Sequence, residues 1–327
     1  TGVFSMFLSN TATAAMMLTF LAPVLKALPA DGKGKIALAL AIPISANVGG
    51  MGTPIGTPPN AIALKFLNDP EGLNMNIGFG EWMAFMIPFT IVMLFLAWLL
   101  LLKMFPFKQK TIVLEIQGEA KKDWRSIIVY ITFAVTILLW MTDKVTGVNA
   151  NVVAMIPVAV FCLIGVITKR DLEEISWSVL WMVAGGFALG VALQESGLGK
   201  HLVASIPFDT WSPMLVIVGS GLICYTMANF ISHTATAALL VPILGTAGGA
   251  MTTQLASLGG VSTLLIGVAI GSSLAMVLPI STPPNALAHG TGLIKQKDME
   301  VVGIIVGIAG LIFGYSMLIF LGANGLI

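Results

Sequence analysis

Thr57-Pro58-Pro59-Asn60-Ala61 and Thr282-Pro283-Pro284-Asn285-Ala286 are the same five residues met twice in one chain. Just upstream stand Asn47-Val48-Gly49-Gly50-Met51-Gly52-Thr53-Pro54 in one case and Pro279-Ile280-Ser281 in the other, and both passages interrupt long apolar stretches, residues 36–67 and 262–293. Proline lacks a backbone donor and clashes with the preceding turn, so neither stretch forms one straight helix. Each is expected as two half-helices joined by an unwound segment.

A second pair of motifs precedes the first. Ser9-Asn10-Thr11-Ala12-Thr13-Ala14-Ala15 matches Ser232-His233-Thr234-Ala235-Thr236-Ala237-Ala238 at six of seven positions, and the interval to the Thr-Pro-Pro-Asn motif is 48 residues in one copy and 50 in the other. Two matches in the same order at nearly equal spacing point to an internal duplication. The chain begins at Thr1, eight residues before the first motif, whereas three apolar spans precede the second. By symmetry, roughly a hundred further residues are expected upstream of Thr1.

The rest of the chain says where these motifs sit. Of 327 residues 57% are hydrophobic and 9% charged, with a mean hydropathy of +0.97. Soluble domains carry about a quarter charged residues, so a water-facing surface could not be covered. The apolar runs are continuous rather than alternating, which excludes a membrane barrel. The fold class is therefore an all-α polytopic membrane protein, with further spans expected at 79–102, 126–142, 151–168, 177–194 and 299–322. Residues 212–248, with the Ser-His-Thr motif in their middle, form either two full spans or a re-entrant hairpin. The hairpin is preferred, because a polar tip at mid-depth needs protein around it. A net charge of +1 and the lack of basic clusters interleaved with aromatics argue against a nucleic-acid partner. Cys162 and Cys224 both lie in apolar runs, so no disulfide framework is indicated.

Basic residues give an orientation. With residues 103–125 placed in the cytoplasm, counting crossings puts 13 of the 16 Lys and Arg on that side, while the opposite loop 68–81 carries Asp69, Glu71 and Glu81 and no basic residue. The first broken helix then runs outward and the second inward. The copies are expected to be inverted, the arrangement of secondary transporters with sites near the bilayer midplane. The protein is expected in the plasma or inner membrane, crossing it several times.

The motifs hold almost no ionisable groups. They supply hydroxyls (Ser9, Thr11, Thr57, Ser232, Thr234, Ser281, Thr282), the Asn10 amide and helix termini. Helix N-termini carry partial positive charge and bind anions, while unwound carbonyls with serine and asparagine oxygens suit a hard monovalent cation. Two dipole ends offset only part of the desolvation cost of a dianion, and bound Na⁺ would supply the rest. Neither a phosphate-binding GxxxxGK[ST] nor HExxH nor GxSxG occurs, so an enzyme is not expected. A channel is the other class the sequence leaves open.

These paired signatures resemble the divalent anion/sodium symporter family, over the whole chain from Thr1. The resemblance implies an elevator-type, commonly dimeric transporter of a dicarboxylate, citrate or sulfate, with Na⁺ as coupling ion and no organic cofactor. It implies a first sodium site at Ser5, Ser9, Asn10 and Gly56, and a second near Ala228, His233 and Ser281. The substrate would meet Ser9, Asn10, Thr11, Thr57 and Pro58 from one half and Ser232, His233, Thr234, Thr282 and Pro283 from the other. Succinate or malate is the expected substrate; a sodium-independent dicarboxylate exchanger and a sulfate or citrate symporter are the alternatives. His233 stands where the pattern has asparagine. An imidazole can replace an amide toward substrate but is a poorer ligand for Na⁺, which prefers oxygen, and if protonated it would link uptake to pH. The implied organisation is 1–103 and 196–327 as transport elements, 104–125 as a cytoplasmic linker and 126–195 as scaffold and dimerisation spans.

Overall fold

The computed structural model describes residues 1–28, 32–70, 72–107, 123–174 and 211–327, with isolated helical positions between 177 and 201. The described residues form helices and turns without a strand. The first copy comprises a short α1 (Gly2–Ser5), α2 (Asn10–Ala27), α3 (Lys33–Gly50), α4 (Pro58–Leu67) and α5 (Phe79–Met104). Then come α6 (Trp124–Met141), α7 (Asp143–Thr146), α8 (Ala150–Leu163) and α9 (Lys169–Glu173). The second copy supplies α10 (Pro213–Phe230), α11 (His233–Ala250), α12 (Thr252–Leu255), α13 (Gly260–Ser273), α14 (Pro283–Gly290) and α15 (Gln296–Ala323).

Both broken helices are present. α3 stops at Gly50, and α4 starts with Pro58 and Pro59 in its first two positions. α13 stops at Ser273, and α14 starts with Pro283 and Pro284 in the same two positions. Proline is tolerated there because the first turn has no intrahelical acceptor for its missing donor. At 1.5 Å per residue, α4 and α13 reach only about 15 and 21 Å, short of a hydrocarbon core of about 30 Å. They are half-spans by length as well as by sequence.

Four described helices, α5, α6, α10 and α15, are long and apolar enough to cross a membrane. α11 joins the segment Thr252–Leu258 at a 91° bend. α10 and α11 pack on each other across the Ile231-Ser232 joint, which puts the Ser-His-Thr motif at the tip of a helical pair. The span expected at 151–168 is shorter: α8 ends at Leu163 because Gly165 adopts a left-handed φ of 67° and the Val166 amide turns back to the Phe161 carbonyl, a Schellman-type stop. Beyond it Thr168 and Asp171 cap α9; the Thr168 hydroxyl and amide hold the Asp171 carboxyl below its usual range. The span expected at 177–194 lies outside the continuously described residues.

The core sits around α13, buried at every position from Val261 to Ser273. A helix apolar all round demands such enclosure, and α10, α11, α4 and α15 provide it. Small residues let α15 come close: Gly303 lies against the Met276–Val277 backbone, Gly307 against the Tyr225 ring and Gly310 against Leu274. α6 and α8 pack on each other and join the rest at the start of α5, where Phe79 stacks on Trp140 at 4.7 Å and Asp143 Oδ2 accepts the Phe79 amide at 2.6 Å, and at Phe7, whose ring meets Phe133 edge-on at 5.8 Å.

Candidate functional site

Serine and threonine at the motif positions act first as helix caps. Ser9 Oγ accepts the Ala12 amide at 3.2 Å at the start of α2, and Ser232 Oγ accepts the Ala235 amide at 3.1 Å at the start of α11. Thr282 Oγ1 accepts the Asn285 amide at 3.2 Å, whereas Thr57, at the same place before α4, makes no side-chain cap. Three of the four motif helix starts are thereby capped by a motif side chain. Each leaves backbone donors without intrahelical partners.

The asparagine of each Thr-Pro-Pro-Asn motif holds the unwound segment that precedes it. Asn60 Nδ2 donates to the carbonyls of Met51 (3.1 Å) and Thr53 (2.8 Å), and also to Gly50 (3.3 Å). Asn285 Nδ2 donates to Met276 (2.8 Å) and Leu278 (3.1 Å), the positions corresponding to Met51 and Thr53. A loop hydroxyl then ties each unwound segment to the residue three before the motif serine. Thr53 donates to the Met6 carbonyl in the first copy, and Ser281 donates to the Asn229 carbonyl at 2.9 Å in the second. Neither role is visible in the motifs as sequence.

The copies are cross-packed. α4 lies against α11 and α13, and α14 lies against α2 and α3. Each Thr-Pro-Pro-Asn half-helix therefore packs on the motif helix of the other copy. The join is direct: Asn47 Nδ2 donates to Thr282 Oγ1 and to Asn285 Oδ1, both at 3.2 Å. Thr57 and Thr282 are buried, Pro58 is half-buried and Pro283 exposed. At the other helix starts Ser9 and Thr11 are exposed, and Asn10, Ser232 and Thr234 are half-buried.

Three residues of the expected first cation set meet. The inward-facing amide atom of Asn10 lies 2.6 Å from Ser5 Oγ, 3.0 Å from the Ala46 carbonyl and 3.2 Å from the Gly56 carbonyl. Ser5 Oγ also donates to Ala46 at 2.7 Å. With nitrogen inward, Asn10 donates to both carbonyls and to Ser5 Oγ, and the cluster is satisfied without an ion; with oxygen inward, the Ser5 hydroxyl is the one donor among four oxygens, and a cation would offset the repulsion that remains. All four donors are hard and neutral, which suits Na⁺ rather than a transition metal. Gly50 makes room, since a Cβ there would collide with the Asn10 amide. The fourth expected residue, Ser9, has its side chain on the Ala12 amide, and the Ala46 carbonyl joins the set instead. Among the described residues no group of three His, Cys, Asp or Glu could hold a metal.

The expected second set has other partners. His233 is 7% exposed and its Nε2 lies 2.6 Å from the Ala275 carbonyl, so that nitrogen carries a proton and donates. Ser281 Oγ donates to Asn229, and Ala228 offers a methyl where the first copy has the Ser5 hydroxyl.

A family model described as citrate transporter matches residues 1–258. An uncharacterized transporter of Haemophilus influenzae is 32% identical over 94% of this chain and 68% of its own length. The sodium-dependent dicarboxylate transporter SdcS of Staphylococcus aureus is 31% identical over 99% of this chain and 69% of its own length. The low-affinity phosphate transporter PHO90 of Saccharomyces cerevisiae is 31% identical over 87% of this chain and 32% of its own length.

Proposed function

The chain belongs to the citrate transporter family, and from that premise we propose that it couples inward movement of a divalent anion to Na⁺, with a C4-dicarboxylate such as succinate or malate as substrate. It is a transporter and a multi-pass protein of the cell membrane. The substrate, the coupling ion and the mechanism are our reading.

One observation carries that reading. The Asn10 amide, Ser5 hydroxyl and two backbone carbonyls meet at the starts of α2 and α4, where Ala46 adjoins the Asn47 that bonds the start of α14 in the other copy, and the motifs there contain no carboxylate, lysine or arginine. Partial positive charge at the starts of α2, α4, α11 and α14 favours carboxylate oxygens. Hydroxyls of Ser9, Thr11, Thr57, Thr234 and Thr282, the His233 imidazole and the unpaired amides at these helix starts would orient the two carboxylates, with Pro58 and Pro283 shaping the turns. Na⁺ among the Asn10 oxygens would supply the positive charge the site otherwise lacks. The printed activity of SdcS, sodium-dependent dicarboxylate transport, accords with this.

In this reading the two copies are inverted repeats, 1–103 and 196–327 move as transport elements, and 126–195 form the scaffold of a homodimer with 104–125 as linker. The attachment of α6 and α8 at the start of α5 and at Phe7 is consistent with that division.

The test is uptake of labelled succinate into proteoliposomes under sodium, potassium or proton gradients, with citrate, sulfate and phosphate as competitors. A requirement for inward Na⁺ and competition by malate are expected. Uptake driven equally well by internal dicarboxylate without Na⁺ would replace symport with exchange. Stronger competition by citrate, sulfate or phosphate than by malate would reassign the substrate.

A further inference from the structure

The two copies are not equivalent at the place where the first gathers oxygens. Aligned through Ser9 with Ser232 and through Thr57 with Thr282, Ser5 and Asn10 correspond to Ala228 and His233, and Gly50 and Gly56 correspond to Ala275 and Ser281. The differences at Ser5 and Asn10 remove oxygens. Ser5 to Ala228 removes a hydroxyl oxygen. Asn10 to His233 replaces an amide, which can present oxygen, with a ring nitrogen that must carry a proton because it faces the Ala275 carbonyl at 2.6 Å. Gly50 leaves the space the Asn10 amide fills, where the second copy carries the methyl of Ala275. Ser281 adds a hydroxyl, but it donates to the Asn229 carbonyl at 2.9 Å, as Thr53 does to the Met6 carbonyl in the first copy.

We infer that the second copy holds no coupling cation: it lacks both side-chain oxygens of the first cradle and sets the His233 N–H where the first copy has the Asn10 amide, so the only Na⁺ held by the paired motifs is the one at Ser5, Asn10, Ala46 and Gly56. The inference rests on the sodium-coupled reading and deepens it. Na⁺ needs several converging oxygens. The second cradle has lost both side-chain oxygens of the first, and a ring N–H bonded to the Ala275 carbonyl stands in place of the Asn10 amide. The anion is then bound asymmetrically, with a mobile cation on one side and a fixed imidazole on the other.

Equilibrium binding of radioactive Na⁺ to the purified full chain in detergent counts the ions directly, without transport. The wild type should bind one Na⁺ per chain and Asn10→Ala none. The triple variant Ala228→Ser/His233→Asn/Ala275→Gly, monodisperse by size exclusion, should bind one more than the wild type. Asn10→Ala retaining an ion, or His233→Ala losing one, would place a cation in the second copy and overturn the inference. If the triple variant does not fold, the Asn10→Ala count alone decides. A wild type that binds no Na⁺ defeats the sodium-coupled function instead, and the inference then stands only if the triple variant gains an ion.

Discussion

Asn47 and Thr282 are 235 residues apart in sequence, yet the Asn47 amide nitrogen lies 3.2 Å from the Thr282 hydroxyl. The same nitrogen reaches Asn285 Oδ1, so one side chain from α3 holds the turn that begins α14. Replacing Asn47 by Ala leaves the buried Asn285 Oδ1 without this donor and Thr282 Oγ1 with the Asn285 amide alone, at about 1–3 kcal/mol for an unsatisfied group. Asn47→Ala is expected to lower thermal stability in detergent and to raise the substrate KM several-fold, because Thr282 loses its anchor. An unchanged KM in a folded variant would separate Thr282 from substrate binding.

Thr57 and Thr282 occupy the same motif position but differ in duty. Thr282 caps its helix, and Thr57 makes no such bond. A threonine N-cap is worth about 1 kcal/mol, and a hydrogen bond to a charged group about 1.5–3 kcal/mol. Thr57→Ala should therefore weaken dicarboxylate binding about 10- to 100-fold at nearly wild-type stability. Thr282→Ala should weaken binding and also lower the unfolding temperature. Saturation binding and thermal unfolding on the same preparations distinguish the two.

Asn60 and Asn285 are expected to matter for the fold before they matter for transport. Asn60 donates to three carbonyls and Asn285 to two. At about 0.5–1.5 kcal/mol net per bond, Asn60→Ala should cost about 2–3 kcal/mol, read as a lower unfolding temperature and reduced recovery of monodisperse protein. Asn60→Asp should not rescue it, since a carboxylate would face carbonyl oxygens with no proton to give.

The broken helices were legible because their prolines are clustered among glycines: the single prolines Pro43 and Pro88 sit inside α3 and α5, whereas at Pro54, Pro58 and Pro59 the structure breaks at Gly50 and restarts at Pro58. The bond from Asn47 to Thr282 was not legible, since no pattern within α3 reports a partner in the other copy. The Ala46 carbonyl escaped for a related reason: a backbone oxygen has no signature in side-chain identity. Ser9 is the instructive case. Serine at the start of an apolar helix is first a cap, and its oxygen is on the Ala12 amide. The end of α8 could have been read from Gly165, which stops the helix at Leu163 before the apolar run does.

The orientation of one amide decides what the first cradle is for, and Ser5 reports on it. If Asn10 oxygen faces Ser5 Oγ, Ala46 and Gly56 with Na⁺ between them, Ser5→Ala removes one ligand oxygen. The Na⁺ concentration for half-maximal uptake should then rise about tenfold, the equivalent of about 1.4 kcal/mol, while the succinate KM at saturating Na⁺ stays within about twofold. If instead the Asn10 nitrogen donates to the two carbonyls, the cluster is already satisfied. Ser5→Ala would then cost stability and leave the Na⁺ response where it was. Measuring uptake across a sodium series at fixed ionic strength, beside thermal unfolding of the same variant, tells a cation ligand from a structural hydroxyl.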